Sequence, residues 1–216
     1  MTKALRAQGI QVAVLAKSNH ELECDLYIQA DLSEFYQTHN IIRRVVDTLG
    51  GLDILVNNAG AQAYGKFTEY NLTQFNRDYN LMVLAPFLLS QQAAKHMLAH
   101  GGGHIVNVLS TVAFQGARNI SGYVTAKHAL LGLTRAMAVE LAPTIRVNAI
   151  SPGLVETDMT AGITPERKVL LNSITPAGRF VTPDEVAGAL LYLINSTVVY
   201  GHTVIVDNGW LSKNGS

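Results

Sequence analysis

Apolar residues recur along this chain in two rhythms. Short β-rich runs fall at residues 11–15, 26–30, 53–56, 104–109, 145–150 and 203–206, each of strand length and rich in Val, Ile and Leu. Between them, residues 35–49, 80–100, 123–141 and 183–193 carry apolar side chains three and four apart, the spacing of a helix that lays one face on a sheet. Strands alternating with crossover helices predict an α/β fold, a doubly wound parallel sheet. Turn residues agree with these limits. Gly50-Gly51 and Gly101-Gly102-Gly103 follow helices, Pro143 closes the helix that begins near Tyr123, and Pro183 suits a first helical turn. The connection 155–181 reads as one long loop, of a length that often serves as a lid.

Composition narrows the class of partner. The 216 residues, 48% of them hydrophobic, suffice for one continuous core. No repeat, low-complexity tract or linker divides them, so residues 1–216 read as a single domain. Lys and Arg number 16, as do Asp and Glu, which leaves no net field for nucleic acid or an anionic membrane. A small neutral or mixed substrate is expected instead. Cys24 is the only cysteine, which suits a reducing, cytoplasmic setting. The first residues carry too short an apolar stretch for a signal peptide, and no run approaches the roughly 18 apolar residues of a membrane span.

In a doubly wound sheet, ligands bind beyond the carboxyl ends of the strands. Here those positions hold Lys17, Asp31-Leu32, Asn57-Asn58-Ala59-Gly60, Ser110 and Ser151-Pro152-Gly153. Tyr123 and Lys127 stand four apart in a predicted helix, which puts both on one face. A tyrosine hydroxyl, with a reference pKa of about 10, is a poor base, but a nearby ammonium stabilises its phenolate. Lys127 is therefore expected to lower the Tyr123 pKa. Ser110 is expected to donate a hydrogen bond to a carbonyl oxygen that receives the Tyr123 proton. Asn80, at a predicted helix start, would hold a water behind Lys127. Singly, these residues have plain readings: Asn80 and Asp31 as helix caps, Lys17 as a solvated charge. His96 and His100 are four apart without a third ligand, and read as a surface helix rather than a metal site.

Taken in order, Asn57-Asn58-Ala59-Gly60, Asn80, Ser110, Tyr123-x-x-x-Lys127 and Ser151-Pro152-Gly153 resemble the short-chain dehydrogenase/reductase family, and the likeness runs from Leu5 to Leu211. The resemblance implies a Rossmann-like fold and an NAD(P)(H)-dependent oxidoreductase interconverting a carbonyl and a secondary alcohol. It makes Tyr123 the general acid/base, with Lys127 as its partner and a ligand of the nicotinamide ribose. Ser110 orients the carbonyl and Asn80 supports a proton relay. Asp31 and Leu32 fall near the adenine, and Asn58, Ala59 and Gly60 along the adenosine ribose. Pro152, Gly153, Val155 and Thr157 surround the nicotinamide carboxamide. A homotetramer or homodimer is implied, built on the helices 80–100 and 123–141 and on the C-terminal strands.

Ala16-Lys17-Ser18 offers no acid for a ribose 2′-hydroxyl, so NADP(H) is favoured over NAD(H), with Lys17 near the 2′-phosphate. The family pattern also begins with a strand and a glycine-rich turn that these residues lack, a difference of roughly 20 residues from a full dinucleotide-binding unit. The expectation is of a sequence that starts late, and of two unpaired strand edges in the middle of the sheet. Gly101-Gly102-Gly103 does not replace the turn, because it precedes a strand. A catalytically silent binding protein of the same family is the alternative that this gap raises. A halohydrin-splitting lyase on the same fold is disfavoured, because Lys127 stands where those relatives carry Arg.

Overall fold

The computed structural model describes residues 1–18 and 23–215. After a short first helix α1 (Thr2–Arg6), the apolar runs form β1 (Ala13–Ala16), β2 (Leu26–Gln29), β3 (Ile54–Asn57), β4 (Gly103–Val108), β5 (Ile145–Pro152) and β6 (Thr203–Val206). All strand pairs are parallel, as crossover connections require. Each expected strand lies within two residues of its place. The connecting helices are α2 (Ile41–Leu49), α3 (Leu72–Tyr79), α4 (Ala85–Ala99), α5 (Ser121–Leu141), α6 (Asp158–Ala161), α7 (Pro165–Ser173) and α8 (Pro183–Asn195).

Three helical stretches depart from expectation, each for a local reason. The helix expected at 35–49 is broken, because a 3-10 turn at Phe35–Thr38 gives way to Asn40 at φ 59, and α2 begins only after it. The helix expected to start at Asn80 begins at Leu72, where the Asn71 side chain accepts from the N–H groups of Thr73 at 2.8 Å and Gln74 at 3.3 Å. It continues through a π turn, Asn80–Leu84, into α4; the Ala85 N–H reaches back five residues to the Asn80 carbonyl. Pro86, which has no N–H to give, follows directly. Asn80 is thus inside a helix and caps nothing. The presumed loop 155–181 contains α6 and α7, the latter opened by the Thr164 hydroxyl and Pro165.

β3, β4, β5 and β6 form one sheet in that order, and β1 and β2 form a second. Among the described residues no strand lies between β1 and β3. Their facing edges border one cleft, which is the pair of unpartnered edges that the sequence led us to expect. Helices bridge the two sheets, since α2 packs on β2 and on α4 while α1 packs on α8. The deepest core is at β4 and β5. Ile105 and Val147 pack with α2 and α4 on one face, Val106 and Ile150 with α1 and α8 on the other, following the two-residue period of a strand. Asn57, Asn107 and Thr134 form a buried polar ladder across β3, β4 and α5, with links of 2.8 and 2.9 Å.

Candidate active site

Val108 ends β4, and Ser110 follows in extended conformation, its Oγ accepting from the Val112 N–H at 3.4 Å. The first two turns of α5 carry Tyr123 and Lys127 toward this strand end. Lys127 is 3% exposed. Its Nζ donates to the Val108 carbonyl at 2.7 Å and lies 5.5 Å from the centre of the Tyr123 ring, within cation–π reach. The Ser110 hydroxyl lies beside the Tyr123 phenol and favours its ionised form. Three chemically distinct groups, a phenol, an alcohol and an amine, therefore converge at one strand end.

Burial governs how this trio holds protons. It takes Lys127 down to about 8 from the usual lysine range, because a cation is costly to desolvate. It also pushes the Tyr123 phenol up, against the opposing pull of the Ser110 hydroxyl and with a small further rise from Tyr64. The expected lowering of Tyr123 by Lys127 does not occur in the chain alone. The same burial that should strengthen the ammonium's pull weakens its hold on its own proton. The arrangement keeps the proton on Tyr123, as a proton donor requires.

The trio opens on a cavity of about 2110 Å³ that joins the cleft between β1 and β3 to the strand ends. Every site residue expected from the sequence except Asn80 lines it. At one end the Lys17 Nζ lies 2.7 Å from the Asp31 carboxylate, and Arg77 approaches the same oxygen at 3.9 Å. Lys17 and the Ser33 hydroxyl hold Asp31 at about 2, below the usual carboxylate range. Leu32 is buried beside it. Asn58, Ala59 and Gly60 follow β3 along the middle of the wall. A side chain at Gly60 would begin 3.8 Å from the Lys127 Nζ. At the far end, Pro152, Gly153, Val155 and Thr157 lead into α6. A Cβ on Gly153 would stand 3.0 Å from the Asp207 Cα, so a side chain there would press on the segment after β6.

The Asn80 side chain instead donates to the Ser33 carbonyl at 3.3 Å, tying the turn after Leu32 to the π turn. Arg77, Tyr64 and Trp210 also line the cavity and were not anticipated individually. Arg77 sits on α3, a helix too polar to stand out by periodicity, and Trp210 lies just past the last strand. His96 and His100 stack with ring centres 4.1 Å apart. Among the described residues no group of three His, Cys, Asp or Glu side chains could hold a metal ion.

The two ends of the cavity could hold the two halves of an elongated dinucleotide: one offers a carboxylate with flanking cations, the other the Tyr123–Lys127 pair with the 152–157 turn. Among the described residues no glycine-rich turn opens onto a helix N-terminus to cradle a pyrophosphate.

A protein family described as enoyl-(acyl carrier protein) reductase matches residues 1–211. The 2-dehydro-3-deoxy-D-gluconate 5-dehydrogenase of Escherichia coli is 36% identical over 194 residues, covering 87% of this chain and 77% of the relative. The 3-oxoacyl-(acyl-carrier-protein) reductase of Aquifex aeolicus is 33% identical over 214 residues, covering 96% and 84%. A gluconate 5-dehydrogenase from Burkholderia cenocepacia, solved with NADP and tartrate, has a TM-score of 0.90 at 26% identity, over 98% of this chain and 89% of that one. Among the described residues no helix is long and apolar enough to cross a membrane. Strand order, strand-end residues and relatives agree: the chain belongs to the short-chain dehydrogenase/reductase family of NAD(P)-dependent oxidoreductases, which interconvert carbonyl and alcohol groups.

Proposed function

We propose that Tyr123 is the general acid and base of this reaction on a small-molecule substrate, with Ser110 and Lys127 as its immediate partners. The observation that carries the reading is the convergence of Ser110, Tyr123 and a buried Lys127, its Nζ 5.5 Å from the Tyr123 ring, on the cavity wall. When bound, a nicotinamide cofactor supplies or takes up the hydride. In reduction, the Tyr123 O–H bond breaks and its proton passes to the carbonyl oxygen, while Ser110 donates a hydrogen bond to that same oxygen. Lys127 stabilises the phenolate left behind. In oxidation the same atoms act in reverse. The relay role of Asn80 requires its side chain to exchange the Ser33 carbonyl for a water behind Lys127.

Lys17, Asp31, Leu32 and Asn58 to Gly60 would hold the adenosine half of the cofactor, and Lys127 with Pro152, Gly153, Val155 and Thr157 the nicotinamide half. The cationic pair Lys17 and Arg77 favours NADP(H) over NAD(H). Exposed Phe87, Leu98 and Val139, on the outer faces of α4 and α5, support a homotetramer or homodimer, and sedimentation as a monomer at micromolar concentration would count against it. The lone Cys24 supports a reducing, cytoplasmic setting.

The decisive experiment is Tyr123→Phe, followed by cofactor absorbance across a panel of ketones and secondary alcohols. Turnover is expected to fall roughly 10²- to 10⁴-fold, the range for loss of a positioned acid, with the fold intact. Undiminished turnover refutes the assignment.

A further inference from the structure

Asp78 lies on α3 outside the catalytic trio and is 1% exposed. Its Oδ2 accepts from the Tyr70 hydroxyl and its Oδ1 from the Gln74 side-chain amide, both at 2.8 Å. The cluster faces the first turn of α5. A Cβ added at Gly122 would stand 2.8 Å from the Asp78 Oδ2 and 2.8 Å from the Tyr70 oxygen, so only a glycine allows this approach. Burial and Asp78 push the Tyr70 hydroxyl up to about 12, against the opposing pull of the nearby Gly122 backbone. A chain of contacts thus runs from Asp78 through Tyr70 to the residue immediately before Tyr123.

The chemistry of a helix start explains why such a chain is needed. The first N–H groups of a helix lack partners, and a side chain at the N-cap ordinarily supplies one. Position 120, the N-cap of α5, is Ile and supplies none. Ile120 is instead buried and lines the cavity. The Tyr70 oxygen, held by Asp78 of α3, stands against the first turn of α5 instead, and the cavity wall stays apolar at residue 120. The carboxyl also faces the positive end of the α5 dipole.

We infer that Asp78 and Tyr70 are positioning residues, which fix the first turn of α5 and thereby set the reach of the Tyr123 hydroxyl to Ser110 and the substrate. The inference rests on the assignment of Tyr123 as acid/base. Tyr70→Phe removes the oxygen packed against Gly122 and the donor to Asp78. In that variant, amide hydrogen exchange at residues 122–124 is expected to quicken and kcat to fall, each by about tenfold, equivalent to one net hydrogen bond. KM and cofactor affinity should hold. Asp78→Asn keeps an acceptor for Tyr70 and is expected to stay within about threefold of the parent, given the modest net worth of a neutral hydrogen bond. Asn71→Ala weakens α3 at its cap without touching the chain of contacts, and should lower Tm while leaving kcat unchanged. Unaltered exchange at 122 in Tyr70→Phe overturns the inference whatever the turnover. So does an equal fall in kcat in Asn71→Ala. Absence of turnover in the parent chain overturns the Tyr123 assignment instead, and the exchange result still decides whether the contacts fix the turn.

Discussion

The two sheets of this molecule are built to different standards. In the four-stranded sheet, β4 and β5 are buried along nearly their whole length and tied by the Asn57–Asn107–Thr134 ladder. In the two-stranded sheet, β1 has no fully buried residue and β2 has one, and ion pairs at the surface, Arg6 with Asp25 and Lys17 with Asp31, flank its partly buried apolar side chains. Proton transfer needs atoms fixed to a fraction of an ångström, and the trio proposed for it stands on the first sheet. Of the proposed cofactor contacts, the charged ones, Lys17 and Asp31, stand on the second, where a solvated nucleotide tolerates more play. The proposed division matches precision of geometry to depth of burial.

The largest effect expected from breaking this division lies at Lys127. Lys127→Met should reduce turnover at least about 100-fold, as for other losses of acid–base partners, yet raise Tm. The sign follows from burial. A lysine held at about 8 when folded and near its usual 10.5 when unfolded opposes folding at every pH below 8, by an amount on the order of 3 kcal/mol, and the opposition fades between 8 and 10.5. A Met variant with unchanged or lower Tm at pH 7 would contradict that account. Asn107→Ala should cost about 3 kcal/mol in urea unfolding, because it strands buried groups on Asn57 and Thr134. Arg6→Ala, its counterpart on the exposed sheet, should move Tm much less. Equal losses would erase the contrast between the sheets.

Acid sharpens the same contrast. His104, buried in β4, is held down at about 4 by desolvation and then by Arg146, while an unfolded His binds a proton near 6.5. The unfolded chain therefore gains protons first as pH falls, and stability is lost between 6.5 and 4. At pH 5 the loss is roughly 2 kcal/mol relative to pH 7. Urea titrations of the parent and of His104→Gln at both values should reveal that difference in the parent alone. The smallest effect belongs to the second sheet. Lys17→Glu should shift cofactor preference toward NAD(H) by about tenfold, with little change in Tm, and an unshifted ratio would remove Lys17 from the cofactor site.

The catalytic trio was legible because each member is fixed by local chain geometry. Tyr123 and Lys127 need only a helix between them, and Ser110 needs only the end of β4. The strand ends were legible for the same reason, since Val- and Ile-rich runs announce where they stop. What escaped depends on contacts distant in sequence. Leu72–Tyr79 contains few apolar residues, so its periodicity was faint, and with it went Arg77 and Asp78. Asn80 looked like a helix start because its preceding turn was invisible. No periodicity reports a π turn. The rise in the Tyr123 pKa was beyond sequence altogether, because spacing gives proximity to Lys127 but not the desolvation that outweighs it.

Every strand pair in the molecule is parallel, and this has a kinetic consequence. β3, β4, β5 and β6 can pair only after the chain between them has closed a crossover through a whole helix, so most of this sheet's contacts join distant segments. Such loop closures must be completed before they yield any stabilisation, which slows the search. β1 and β2 close a far shorter span, Ala13 against Leu26. Refolding from urea should therefore be limited by assembly of the four-stranded sheet, and the catalytic strand ends should be among the last places to acquire their final form.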